Sequence, residues 1–237
     1  MQTATRQTLV TGANRGLGLE FTRQLLAQGD RVVATCRQPG KATALNRLAG
    51  EHPGRLHVLP LEMAEPKSHV ELVRELPLVL GKNGRLDLLL NNAGVLHSGE
   101  RFGNVGADNL DDSFRTNAAG PFLLTQALAP LLADGARVVN LSSRLGSIAG
   151  TERFGTPSYN ISKAALNMAT ALLAQALAER GIVGAAFSPG WVRTEMGGSE
   201  AEVAPEDAGA GVLRQADALD TADSGRFLGT DGKTIPW

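Results

Sequence analysis

Short, almost uninterrupted apolar runs recur along the chain at residues 8–11, 31–35, 56–61, 86–90, 136–141 and 181–187. They lack the alternation of a half-wetted sheet and match parallel strands covered on both faces. Between them, segments 17–27, 41–49, 66–80, 117–133 and 158–180 carry apolar residues at helical spacing or are rich in alanine and leucine. Pro66 fits the first turn of its helix, whereas Pro121 and Pro130 predict breaks or kinks in the next. A strand–helix unit repeated about six times predicts one doubly wound α/β domain over residues 1–237. No linker, charge block or internal repeat divides it. Ligands of such sheets bind beyond the carboxyl ends of the strands, so chemistry is expected in the loops that follow them.

Composition narrows the classes. The chain has 23 Lys+Arg against 24 Asp+Glu, a net charge of −1 that argues against nucleic-acid binding by counterion release. No apolar run comes near the roughly 18 residues of a membrane span, and the start, MQTATRQTLV, is too polar for a signal peptide. Cys36 is the single cysteine, which points to a cytoplasmic protein without internal disulfides. Histidines 52, 57, 69 and 97 show no metal-ligand spacing, so no metal is expected. Among 237 residues there are 28 glycines and one tyrosine.

Several glycines cluster where a nucleotide would bind. The first strand runs into Thr11-Gly12-Ala13-Asn14-Arg15-Gly16-Leu17-Gly18 and then a helix. Glycines there permit a tight turn and close approach of backbone to a pyrophosphate, while the helix start offers free N–H groups. A carboxylate at the end of the second strand would bind the ribose hydroxyls of NAD; the sequence has Cys36-Arg37-Gln38 instead. Arg37 and Arg15 offer planar forks for a 2′-phosphate, which favours NADP(H).

The tyrosine lies in Ser158-Tyr159-Asn160-Ile161-Ser162-Lys163, with Tyr159 and Lys163 on one helix face. An ammonium beside a phenol lowers its pKa and makes Tyr159 a candidate proton donor or acceptor. Asn140-Leu141-Ser142-Ser143 and Asn91-Asn92-Ala93-Gly94 fall at the ends of the fifth and fourth strands, and Asn117 opens a helix. Each alone reads as a cap or turn residue. Together they face one edge of the sheet. Ser143 lacks the G-x-S-x-G elbow of a serine hydrolase.

TGANRGLG, NNAG, Asn117, the serine pair, YNISK and the segment Ser188-Pro189-Gly190-Trp191-Val192-Arg193-Thr194 occur in order over nearly the whole chain. In this the sequence resembles the short-chain dehydrogenase/reductase family, and its tail (SGRFL, then DGKTIPW) resembles the C-factor and sniffer-type carbonyl reductase branch. The resemblance implies a single Rossmann-like doubly wound parallel sheet of about seven strands. It implies Ser143, not Ser142, as the carbonyl-binding hydroxyl and Tyr159 as proton donor. Lys163 would tune Tyr159 and hold the nicotinamide ribose, and Asn117 would order a relay water. For cofactor binding it implies Gly12, Asn14, Arg15, Gly16, Leu17, Arg37, Asn91, Ala93, Gly94, Tyr159, Lys163, Pro189, Gly190, Val192 and Thr194. Glu62 and Met63 stand where the family usually has an aspartate contacting adenine. The 16 residues from Ser143 to Tyr159 exceed the family's common spacing, and the extra ones, Arg144-Leu145-Gly146 and Glu152-Arg153-Phe154, would border the pocket.

The expected activity is NADPH-dependent reduction of an aldehyde or ketone to an alcohol. The alternatives are an NADP(H)-binding signalling protein of C-factor type and a 3-oxoacyl thioester reductase. The expected partners are a small carbonyl or alcohol substrate and further copies of the chain. Small-residue helix faces (Ala118, Ala119; Ala164, Ala165, Ala169) suit pairing into a homodimer or homotetramer.

Overall fold

Strands β1 (Gln7–Thr11), β2 (Arg31–Cys36), β3 (Leu56–Pro60), β4 (Leu86–Asn91), β5 (Leu132–Leu141), β6 (Val183–Ser188) and β7 (Phe227–Gly229) form one sheet. All pairings are parallel, in the order β3-β2-β1-β4-β5-β6-β7. This computed structural model describes residues 5–81 and 84–237, so the first four residues of the polar start lie outside it. The helices are α1 (Gly16–Ala27), α2 (Thr43–Glu51), α3 (Pro66–Leu80), α4 (Ala107–Phe114), α5 (Gly120–Leu128), α6 (Pro157–Leu177) and α7 (Pro205–Ala218). The sheet is the seven-stranded, Rossmann-like arrangement expected.

Two apolar layers sandwich the sheet. Phe21 and Leu25 of α1, Leu45 and Leu48 of α2, and Val212 and Leu213 of α7 cover one face. Leu72 and Leu76 of α3 with Leu124 and Leu128 of α5 cover the other. Phe21, Phe187 and Phe227 are fully buried, each stabilising the fold by about 1.5–3 kcal/mol through the area it removes from water. Strand order reverses between β1 and β4, where the connections leave to opposite sides and a crevice opens at the carboxyl edge.

One expectation is refined locally, with the breaks that Pro121 and Pro130 predicted, and one fails. The helix predicted over 117–133 is divided: a π turn at Arg115–Ala119, α5, then a 3-10 turn at Ala129–Leu131. Pro121 sits in the first turn of α5 and Pro130 inside the 3-10 turn, where a missing N–H costs least. Leu132, assigned to that helix, is instead fully buried and pairs with Leu86. The second concerns hydropathy. Residues 157–180 are long and apolar enough to cross a membrane, with a mean hydropathy of 1.2 over an 18-residue window, because alanine raises the average. In the fold α6 is a core helix beside β6, and Lys163 lies in its second turn.

Candidate active site

A cleft of about 1360 Å3 runs along the carboxyl edge, over the ends of β1, β2, β4, β5 and β6. It exceeds the roughly 300–1,000 Å3 of a pocket for one drug-sized ligand, which leaves room for a dinucleotide and a substrate. Gly12, Asn14, Arg15, Gly16 and Leu17 line one end, with Arg37, Glu62 and Met63 beside them. Gly12 has φ 64°, and a Cβ there would stand 2.8 Å from the Ala93 Cα, so the turn closes only with glycine. The side chain of Arg15 does not cap α1, whose first N–H groups therefore open toward the cleft. This is a fitting seat for a pyrophosphate.

The two arginines meant for a 2′-phosphate both reach the cleft, but each has an acidic neighbour. The Arg37 Nε lies 3.9 Å from Glu62 Oε2, and Arg15 pairs with Glu195 from the loop after β6. Lys41 also lines this end, a cation that sequence spacing did not single out.

At the other end stand Ser143, Tyr159 and Lys163. The register of β5 delivers the serine pair to the edge: Leu141 pairs with Phe187, and the chain then leaves the sheet. Ser142 gives its hydroxyl to Asn167 Oδ1 at 2.6 Å in the core. Ser143 instead accepts from the Leu145 N–H at 3.2 Å and faces Tyr159. Burial pushes the Tyr159 phenol up to about 12, opposed by its hydrogen bonding to Ser143. Burial pulls the Lys163 ammonium down to about 8. The expected lowering of the phenol by the ammonium is therefore not seen, and burial sets the direction. Nζ of Lys163 sits 5.5 Å from the Tyr159 ring centroid and donates to the Leu141 carbonyl at 2.7 Å.

Asn117 lies in the π turn, fully buried, between the cleft's Val95 and α6. Its Oδ1 accepts from the Val95 N–H at 2.8 Å, and its Nδ2 donates to the Val95 carbonyl and to Ser162 Oγ. Both amide hydrogens are used, and Oδ1 keeps one lone pair free. Asn91 is placed differently from expectation. It is buried, donating to Thr125 Oγ1 and Asn140 Oδ1, and only Asn92, Ala93 and Gly94 of that motif line the cleft. The reason is parity: Asn91 ends β4 pointing into the helix layer, and the chain turns outward just after it. Pro189, Gly190, Val192 and Thr194 all line the cleft.

Residues 6–204 match the profile of the short chain dehydrogenase family. The chain belongs to that family. By this membership it is an oxidoreductase. Among curated relatives, the C-signal of Myxococcus xanthus is 40% identical over 156 residues, covering 65% of this chain and 94% of the relative. A 1-hydroxy-2-glutathionyl-2-methyl-3-butene dehydrogenase of Rhodococcus sp. (strain AD45) is 32% identical, covering 97% and 98%. Among solved structures, an NADPH-bound carbonyl reductase from chicken fatty liver superposes with a TM-score of 0.92 at 37% identity, covering 99% and 100%. The carbonyl reductase Sniffer of D. melanogaster gives 0.94 at 32%, covering 98% and 100%.

This short-chain dehydrogenase holds its tyrosine helix in a way the sequence did not foretell. Thr156, at the start of α6, has φ 39° and makes no side-chain cap. Glu100, from the loop after β4, supplies the cap instead: one carboxylate oxygen accepts from Ser158 N at 3.1 Å and Ser158 Oγ at 2.8 Å. Those hydrogen bonds hold its carboxyl below the usual range. The pair is 58 residues apart, beyond the reach of any capping motif. Among the described residues no three metal-ligating side chains cluster. His97 bonds Asp112 Oδ2 at 2.9 Å at the cleft's edge.

Proposed function

We propose that the protein is an NADPH-dependent carbonyl reductase, reversible as an alcohol dehydrogenase, with Tyr159 as the proton donor. One observation carries this reading: the Tyr159 phenol stands beside Ser143 and the Lys163 ammonium at the end of a cleft that begins with a glycine turn. The phenol is protonated at pH 7, and because burial also makes it a weaker acid, proton release relies on the nearby Lys163 charge and on the negative charge developing on the substrate oxygen.

Bound NADPH is the source of hydride. The residues of the chain do the rest. The Ser143 hydroxyl donates to the substrate carbonyl oxygen and orients it. As negative charge gathers on that oxygen, Tyr159 Oη delivers its proton there. Lys163 places a positive charge within 5.5 Å of the ring, favouring the phenolate left behind. Reprotonation from solvent then passes through the polar contacts of the same end. Arg37, Lys41 and Arg15 would seat the 2′-phosphate, exchanging Glu62 and Glu195 for it. NADPH and NADP in solved relatives support that choice.

The test is a panel of small aldehydes and ketones, with an acetoacetyl thioester among them, followed by loss of NADPH absorbance. Turnover of small carbonyls but not the thioester is expected. The likeness to the C-signal favours a second reading, a signalling protein that binds NADP(H). NADPH binding with silence across the panel would promote it. We further propose self-association through α6. Ala118 and Ala169 are buried within the chain, but Ile161, Met168 and Leu172 form an exposed apolar stripe, which supports pairing with a second copy.

A further inference from the structure

Four arginines line the cleft, and they divide into two kinds. Arg15 and Arg37, at the cofactor end, have glutamate partners. Arg144 and Arg153, at the substrate end, have no acidic partner within ion-pair distance among the described residues, and no hydrogen bond from either guanidinium appears there. Both also line a side cavity of about 160 Å3 with Leu145, Gly150, Thr151 and Asn160, so the cavity opens off the cleft between them. Glu152 lines the side cavity and Asp112 and Glu202 the cleft, yet none pairs with either arginine.

The segment carrying these arginines is held in place. The Arg144 N–H donates to Ser188 Oγ at 3.2 Å, and Ser143 Oγ caps the following turn. Ser147 Oγ donates to the Pro236 carbonyl at 2.7 Å, and the Ala149 N–H to the Trp237 carbonyl at 2.8 Å. Gly146 lies flush on α6, since a Cβ there would stand 2.8 Å from the Lys163 Cβ. Arg144 thus follows Ser143 on a braced platform, and less conformational freedom is lost when a ligand binds.

Resting on the carbonyl reductase reading, we propose that the substrate is a carbonyl compound bearing a carboxylate, seated by Arg144 and Arg153 while its carbonyl meets Ser143 and Tyr159. A guanidinium presents a planar fork that matches a carboxylate, and two unpaired forks beside the reacting end favour an acid over its neutral analogue. Exposed Trp191 and Leu145 supply apolar wall between the two ends of such a molecule.

The experiment compares 4-carboxybenzaldehyde with its methyl ester, using NADPH and the full chain, in the parent and in R144Q, R153Q and the double variant. The parent should favour the acid by about tenfold or more in kcat/KM, mostly through KM, and the preference should weaken with added salt. In the double variant the acid-to-ester ratio should fall to near one. Equal efficiency for acid and ester in the parent overturns the proposal while leaving the reductase reading intact. So does a preference that survives the double substitution, or one replaced by a raised KM for NADPH, which would assign the arginines to the cofactor. If the parent reduces neither aldehyde, calorimetry with 4-carboxybenzaldehyde and its ester on the NADP-loaded protein decides. Tighter binding of the acid, lost in the double variant, keeps the anion site and defeats the reductase reading; equal binding defeats the anion site.

Discussion

The two ends of the cleft are built from different materials. At the cofactor end the backbone makes the site: a turn that needs glycine, an uncapped helix start, and strand ends fixed in register by parallel pairing. At the substrate end side chains make it, on long connections whose positions depend on distant partners. Glu100 reaches Ser158, Asn117 reaches Val95 and Ser162, and the tail at Pro236 braces Ser147. Charge is handled differently too, with arginines paired at the first end and unpaired at the second. A backbone-built site is broken by one added methyl group. A side-chain-built site can be retuned by single substitutions without loss of the fold.

The sharpest separation of the two ends comes from Lys163→Met. It removes a buried ammonium whose hydrogen bond is to the Leu141 carbonyl. Activity should fall about a hundredfold or more, while melting temperature at pH 7 holds or rises, because an uncompensated charge leaves the core. The pH dependence checks the cause. The folded-state pKa of Lys163, about 8, lies below its ordinary 10.5. Between those values the unfolded chain binds the extra proton, so the parent gains stability as pH rises through that window and bears the full penalty below it. The variant should lack that rise, and equal pH slopes for the two proteins would contradict the burial argument.

Gly18→Ala strikes the other end. Its Cβ would collide with the Gly12 carbonyl oxygen and with Asn92 Nδ2, and overpacking of this kind costs about 1–3 kcal/mol. Urea unfolding should show that loss together with weakened NADPH binding. Arg37→Asp probes charge instead of shape. Loss of a charge-assisted contact worth about 1.5–3 kcal/mol should lower the NADPH-to-NADH preference by about tenfold or more in kcat/KM, and a parent that prefers NADH would overturn the assignment. Glu100→Ala should have the smallest effect, about 0.5–2 kcal/mol of stability for a lost helix cap, with a few-fold fall in kcat as the start of α6 loosens.

The same division explains what could be read from the sequence. Six strands lie within a few residues of their apolar runs, because the central strands are covered on both faces and even the edge strand β3 keeps Leu56, Val58 and Leu59. The seventh, Phe227–Gly229, pairs over only three residues, too short for a run to stand out. Helices α4 and α7 escaped because one is short and acidic and the other carries Gly209 and Gly211. Within the site, the glycine turn was legible because its constraints are local. Ser143 and Tyr159 were legible through resemblance, and the structure puts both on the cleft. That the Asn91 side chain turns to Thr125 and Asn140 was not legible, because motif membership does not say which way a strand's last side chain points. Glu100 was invisible because its partner lies 58 residues away. The direction of the Tyr159 shift was misread for a related reason: the sequence shows the nearby charge but not the burial that outweighs it.

Proton delivery by Tyr159 is the claim on which the rest depends. The direct measurement is single-turnover reduction of a small carbonyl by Tyr159→Phe, with NADPH binding followed separately. Removal of a general acid should slow the chemical step by about 10²–10⁴-fold and leave the NADPH dissociation constant within a few-fold of the parent's. A variant that binds NADPH and reduces the carbonyl at nearly the parental rate would show that the proton comes from elsewhere.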